Sequence, residues 1–177
     1  MKNLFFLICV LFSNCNMLHA FSWPWEEVNQ STVTTEHLKD FGQQLGDKYK
    51  LKYLNNGVGT VVDSKNVAYD LSFMCNHCVT IDQSRKLAKN IMNDFWRFAS
   101  TDKEIYKDMQ VYCKILKNYD PILTPNRLGM KLSFWDKNMN RLPAPYISQV
   151  IVSDGFIYFY TADPKDQSLQ NPAVENL

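Results

Sequence analysis

Histidine and glycine are scarce in this chain, three and six among 177 residues, and their scarcity removes whole classes of chemistry. Only His37 and His77 lie beyond the leader described below, and Ser72 and Ser84 lack the Gly-x-Ser-x-Gly setting of an exposed nucleophile. No hydrolase triad can be read. The stretch Asn55-Asn56-Gly57-Val58-Gly59 has no helix after it to offer amides to a phosphate, which excludes a nucleotide cradle. Charge of one sign is missing too. With 19 basic against 18 acidic side chains and no block of either, the electrostatic footprint of a nucleic-acid binder is absent. No internal repeat appears, and after Phe12 no apolar run approaches the roughly 18 residues that a membrane span requires.

The first twenty residues have the form of an export signal. Lys2 supplies positive charge, and Leu4 to Phe12 is an unbroken apolar run, too short to span a bilayer. Cleavage fits after Ala20 or after Ser22, the latter giving the better small-x-small pattern. A lipid anchor on Cys15 is disfavoured because Asn14 stands where a small residue is wanted. The expectation is an exported protein of the periplasm or the exterior, with no transmembrane segment after signal cleavage. The expected division is 1–20 signal, 21–33 polar arm, 34–163 a single domain and 164–177 a flexible tail. About 157 mature residues suffice for one hydrophobic core without disulfide support. Within the arm, Glu26 and Glu27 beside Trp23 and Trp25 invite a sugar-binding reading, but a mobile aromatic arm is simpler.

Periodicity then sets the elements. Leu38, Phe41 and Leu45 recur at helical spacing from Thr34 or Thr35, with Gly46 as a stop. Lys50–Leu54 and Val58–Val62 read as two strands around the turn residues Asn55-Asn56-Gly57. After Asp63 to Asn66, Val67, Tyr69, Leu71 and Phe73 alternate with Ala68, Asp70 and Ser72, a half-buried strand. Thr80 or Asp82 can cap a long helix whose stripe is Leu87, Ala88, Ile91, Met92, Phe95, Trp96 and Ala99. Ile105, Met109 and Tyr112 suggest another helical turn or two before Asp120-Pro121 and Thr124-Pro125. Leu128 to Phe134 alternates as a strand, and Ile147–Val152 and Phe156–Tyr160 flank Asp154-Gly155, the strongest hairpin signal in the chain. The fold class that follows is α+β, an antiparallel sheet with one long and one or two short helices on one face.

The helix from Asp82 to Phe98 running through Asp94-Phe95, then Tyr119-x-Pro121, Thr124-Pro125-Asn126 before an alternating strand, and the hairpin from Val150 to Tyr160 form one layout. It resembles a family of small uncharacterised exported proteins of intracellular bacteria. The resemblance implies an exported α+β domain and carries no assigned activity, so no functional residue transfers from it. This chain carries a Cys-x-x-Cys that members of that family do not regularly show, and the expectation is that it does without their longer acidic C-terminal segment.

The chemical motif is Cys75-Asn76-His77-Cys78. Cys9 and Cys15 leave with the leader, so Cys75, Cys78 and Cys113 remain, an odd set that allows one bridge and one thiol. Three readings stay open. In the redox reading, Cys75 and Cys78 sit at a strand-to-helix junction with His77 beside them, as in thioredoxin-like enzymes, and Thr124-Pro125 plays the cis-proline loop. If Thr80 to Asp82 form the true cap, however, the pair lies too early to feel the helix dipole. In the zinc reading, Cys75 and Cys78 are half a site that His77, His37 or Cys113 would complete. In the structural reading, Cys113 bridges to Cys75 or Cys78 and staples the segment after the long helix to its start. His37 otherwise reads as a solvated side chain, and no cofactor motif appears. The leading functional expectation is a non-enzymatic binding domain for a protein or envelope partner, with its sheet face or loops as the surface; the alternative is a thiol-disulfide oxidoreductase.

Overall fold

A computed structural model of the chain describes residues 31–61, 66–115 and 124–177. The expected leader, most of the arm, the turn residues 63–65 and Asp120-Pro121 lie outside them. The elements run α1 (Ser31–Tyr49), β1 (Lys52–Val61), β2 (Asn66–Cys75), α2 (Ile81–Ala99), α3 (Lys103–Ile115), a short 3-10 turn (Pro125–Arg127), β3 (Leu128–Phe134), β4 (Gln149–Ser153), β5 (Phe156–Tyr160) and β6 (Ala173–Asn176). The fold is α+β: among the described residues, one six-stranded, mostly antiparallel sheet in the order β1-β2-β3-β4-β5-β6, with three α-helices. The β2–β3 pair alone is parallel, with Cys75 opposite Phe134. Parallel neighbours cannot be joined by a tight turn, and here α2 and α3 form the crossover.

Alternation along the strands sends Tyr69, Leu71, Phe73 and Cys75 of β2, Met130, Leu132 and Phe134 of β3, Val150 and Val152 of β4, and Ile157 and Phe159 of β5 into the core. From α2, Ala88, Ile91, Met92, Phe95 and Ala99 meet them, and from α3, Ile105 and Met109. Each large side chain fully buried there contributes on the order of 1.5–3 kcal/mol. The long helix starts as its sequence dictates: Thr80 accepts from the Gln83 amide, and the Gln83 side chain returns a bond to the Thr80 amide at 2.9 Å. The Asp154-Gly155 hairpin also forms as expected, with φ of 52° and 82° at its two central residues, the left-handed pair a two-residue turn requires.

Three expectations are corrected. Gly46 does not stop α1, which continues to Tyr49 and closes through Lys50 at φ 56°, the Leu51 amide reaching the Gly46 carbonyl at 2.8 Å. Gly42 and Gly46 serve contact instead: a Cβ at 42 would overlap the Tyr53 ring, and one at 46 would lie 2.9 Å from the Leu51 carbonyl. Asn55-Asn56-Gly57 is no turn but the middle of β1, which takes up a bulge between Tyr53 and Asn55 and places Gly57 opposite Asp70. None of these three residues has a positive φ; Asn56 instead accepts from the Tyr53 hydroxyl and donates to the Thr35 carbonyl at 3.2 Å. Finally, the expected flexible tail 164–177 supplies β6, paired with β5 from Phe156–Asn176 to Phe159–Ala173. Arg85 of α2 holds it there, donating from Nε and Nη2 to the two oxygens of Glu175.

Candidate functional site

The Cys-x-x-Cys motif occupies the connection from β2 to α2. Continuing the alternation of β2 by one step puts Cys75 on the helix-facing side, buried in the core cluster, while His77 and Cys78 are exposed. The connection is held at both ends, by the Trp135 amide on the Cys75 carbonyl and the Ile147 amide on the Val79 carbonyl, each at 3.0 Å. Across this short loop the Cys75 sulfur lies 3.0 Å from His77 Nδ1. Burial pushes the Cys75 thiol above its usual pKa, and a backbone hydrogen bond from His77 offsets this only in part. Cys75 and Cys78 are both free thiols, and both precede the Thr80 cap, outside the helix turn whose amides would stabilise a thiolate. The backbone of Cys113 lies on α3, and its side chain is outside the described residues.

His37 does not join the cysteines. Its Nδ1 is 3.1 Å from Asp102 beyond the far end of α2, a 19-residue helix about 28 Å long. Asp102 itself caps α3, accepting from the amides of Glu104 at 2.8 Å and Ile105 at 3.0 Å. Among the described residues no group of three or more His, Cys, Asp or Glu side chains is arranged to hold a metal ion. The Thr124-Pro125 bond is not the expected cis-proline loop; the cis peptide bond lies at Ala144-Pro145, and Pro125 opens the 3-10 turn. Ser84 is buried and donates to the Ile81 carbonyl at 2.9 Å.

A buried carboxyl was not anticipated. Asp108 on α3 is 1% exposed, accepts from the Tyr69 hydroxyl at 3.1 Å, and its Oδ1 has no hydrogen-bond partner. Burial raises its pKa to about 6, the Tyr69 bond opposing the rise. The signal for it was in the spacing: three residues after Ile105 and one before Met109, Asp108 stands on the buried face of α3.

On the side of the sheet away from the helices Ser133 and Gln149 are buried at one end, and among the described residues the remainder is open. Successive strands there line up Ser72, Lys131, Ile151, Tyr158 and Val174 in one cross-strand row, with Phe156 and Tyr160 on either side of Tyr158 along β5. Phe156 and Val174 are exposed, 41% and 51%, and Ile151, Tyr158 and Tyr160 half-buried. Phe156 and Tyr158 place their ring centres 6.4 Å apart. Trp135 continues this side beyond β3, with the Arg141 guanidinium 5.8 Å from its ring centre. Asp70 also lies on this side, although solvent-exposed overall, with its carboxylate directly over Gly129, where a Cβ would overlap it. Partial burial and then the nearby Asp154 raise its pKa.

No family model, no curated protein and no solved structure matches the chain. Among the described residues no helix is long and apolar enough to cross a membrane.

Proposed function

We propose that this is an exported, non-enzymatic binding domain of the periplasm or the cell exterior, and that a protein partner docks on the open face of its sheet. The observation that carries the reading is the patch of Ile151, Phe156, Tyr158, Tyr160 and Val174 on that face, with Lys131 and Ser72 beside it. Tyrosine and tryptophan combine large contact area with a polar end and few rotatable bonds, which is why they anchor protein interfaces. Extracts of envelope and growth medium should yield a partner that is retained by the wild-type domain and by a Glu36→Lys control, and lost with Ile151→Lys/Tyr158→Ser at unchanged melting temperature. Equal retention by the double variant, or no retained partner, refutes the proposal.

A thiol-disulfide oxidoreductase is the second reading, favoured by the 3.0 Å approach of His77 to Cys75. The upward push on the Cys75 thiol and its burial weigh against it, since a catalytic cysteine must reach solvent as a thiolate. The potential of the pair decides: a value below about −300 mV marks a structural bridge, and one in the range of thioredoxins or above marks an enzyme.

A further inference from the structure

At the end of the sheet opposite the cysteines, α2, the 3-10 turn and the β4–β5 hairpin enclose a cleft of about 280 Å³. Its floor is apolar, formed by Met92 and Leu128, 4% and 1% exposed, and the Trp96 ring forms a wall. Leu177 closes the other side, its amide bonded to the Gly155 carbonyl at 2.8 Å. Three polar side chains converge on the rim: Lys89, Asn93 and Asn126. Among the described residues none of the three takes part in a hydrogen bond or ion pair. Glu175 is the carboxylate within electrostatic range of Lys89, and Arg85 already engages both of its oxygens. Lys89 therefore attracts that carboxylate only at longer range, without a hydrogen bond to it.

We infer that this cleft is a binding site for a small amphipathic carboxylate the size of one N-acylated amino acid. The volume lies just under the range of drug-sized and cofactor pockets, which rules out a dinucleotide or a macrocycle and suits a single apolar group. That group rests on Met92 and Leu128 beside Trp96. The carboxylate meets Lys89, and the two carboxamides, each both donor and acceptor, meet the acyl amide. The Arg85–Glu175 clamp keeps Leu177 in place and so completes the cleft. Neutral sugars of equal size would use Trp96 and the amides but form no charge-assisted hydrogen bond with Lys89.

The test uses the full mature chain, ¹⁵N-labelled, with the Trp96 indole resonance as reporter, assigned through Trp96→Phe. N-acetyl-L-leucine should shift it saturably with low-millimolar affinity. N-acetyl-L-leucinamide should bind about tenfold more weakly, as one charge-assisted hydrogen bond is lost. Lys89→Ala should lose the same factor for the acid at unchanged melting temperature, and Lys89→Arg should retain binding. No saturable shift, equal affinity for acid and amide, an unaffected Lys89→Ala, or preference for N-acetylglucosamine would each overturn the assignment. This result is independent of the sheet-face proposal, because none of the cleft residues lies in the open patch.

Discussion

Replacing Asp108 by Asn should flatten the pH dependence of stability in a defined window. In the folded chain the carboxyl ionises near pH 6, and in the unfolded chain near its ordinary value of 3.8. Because the folded pKa is the higher one, the native state holds the proton more tightly. Stability from this site is complete below pH 4, falls as pH rises through 6, and is fully lost above that. The difference of about two units corresponds to roughly 3 kcal/mol as an upper figure, a large part of a domain's usual 5–15 kcal/mol. Asparagine can still accept from the Tyr69 hydroxyl but carries no charge, and its NH₂ replaces an oxygen that already lacks a partner. Its absolute stability therefore says little, and the slope is what matters. Urea unfolding at pH 4, 5, 6 and 7, read as wild type minus variant, should change by up to about 3 kcal/mol across the series. Subtracting the two curves cancels carboxylates titrating equally in both proteins, such as Asp94 and Glu175, whose pKa values lie low. For Asp94, burial raises the value but hydrogen bonds from Lys48 and Tyr49 outweigh it, while Arg85 holds Glu175 down. A difference independent of pH would refute the reasoning.

Other outcomes follow from single contacts. Arg85→Ala and Glu175→Gln should each free β6, read as loss of hydrogen-exchange protection at residues 173–177 with α2 still protected; retained protection would show that the clamp is dispensable. At pH 8, iodoacetamide should label Cys78 well before Cys75, because Cys75 is buried and its thiol pKa raised, and equal labelling rates would contradict the described environment. Gly129→Ala should destabilise by about 1–3 kcal/mol through the clash with Asp70, and Asp70→Ala in the same chain should recover most of it. Additive losses in that double variant would place the clash elsewhere.

What was legible in the sequence had local causes. Thr80 and Gln83 form a reciprocal cap over one turn, Asp154-Gly155 supplies the positive φ values of its own hairpin, and alternation in β2 and β3 sorts each residue to a face. Carried two residues past Phe73, that same alternation buries Cys75, which is why a motif that reads as reactive holds its first thiol in the core. The misread features had distant causes. Gly42 and Gly46 look like helix breakers until Tyr53 and Leu51 come against them, and Asn55-Asn56-Gly57 looks like a turn until the bulge and the Asn56 bonds absorb it. The tail is polar and unpatterned, and its order comes from Arg85, 90 residues away from Glu175. His37 likewise finds Asp102 at a separation of 65 residues. Pairings of that range leave no periodic trace in the chain.

The open sheet face is tested most directly by placing a photo-crosslinking amino acid at Tyr158 and, separately, at Glu36 on the exposed side of α1, in cells that make the protein. A discrete adduct with one partner from position 158, and none from 36, is the result predicted here. Adducts from 36 alone, or from neither position, would contradict it.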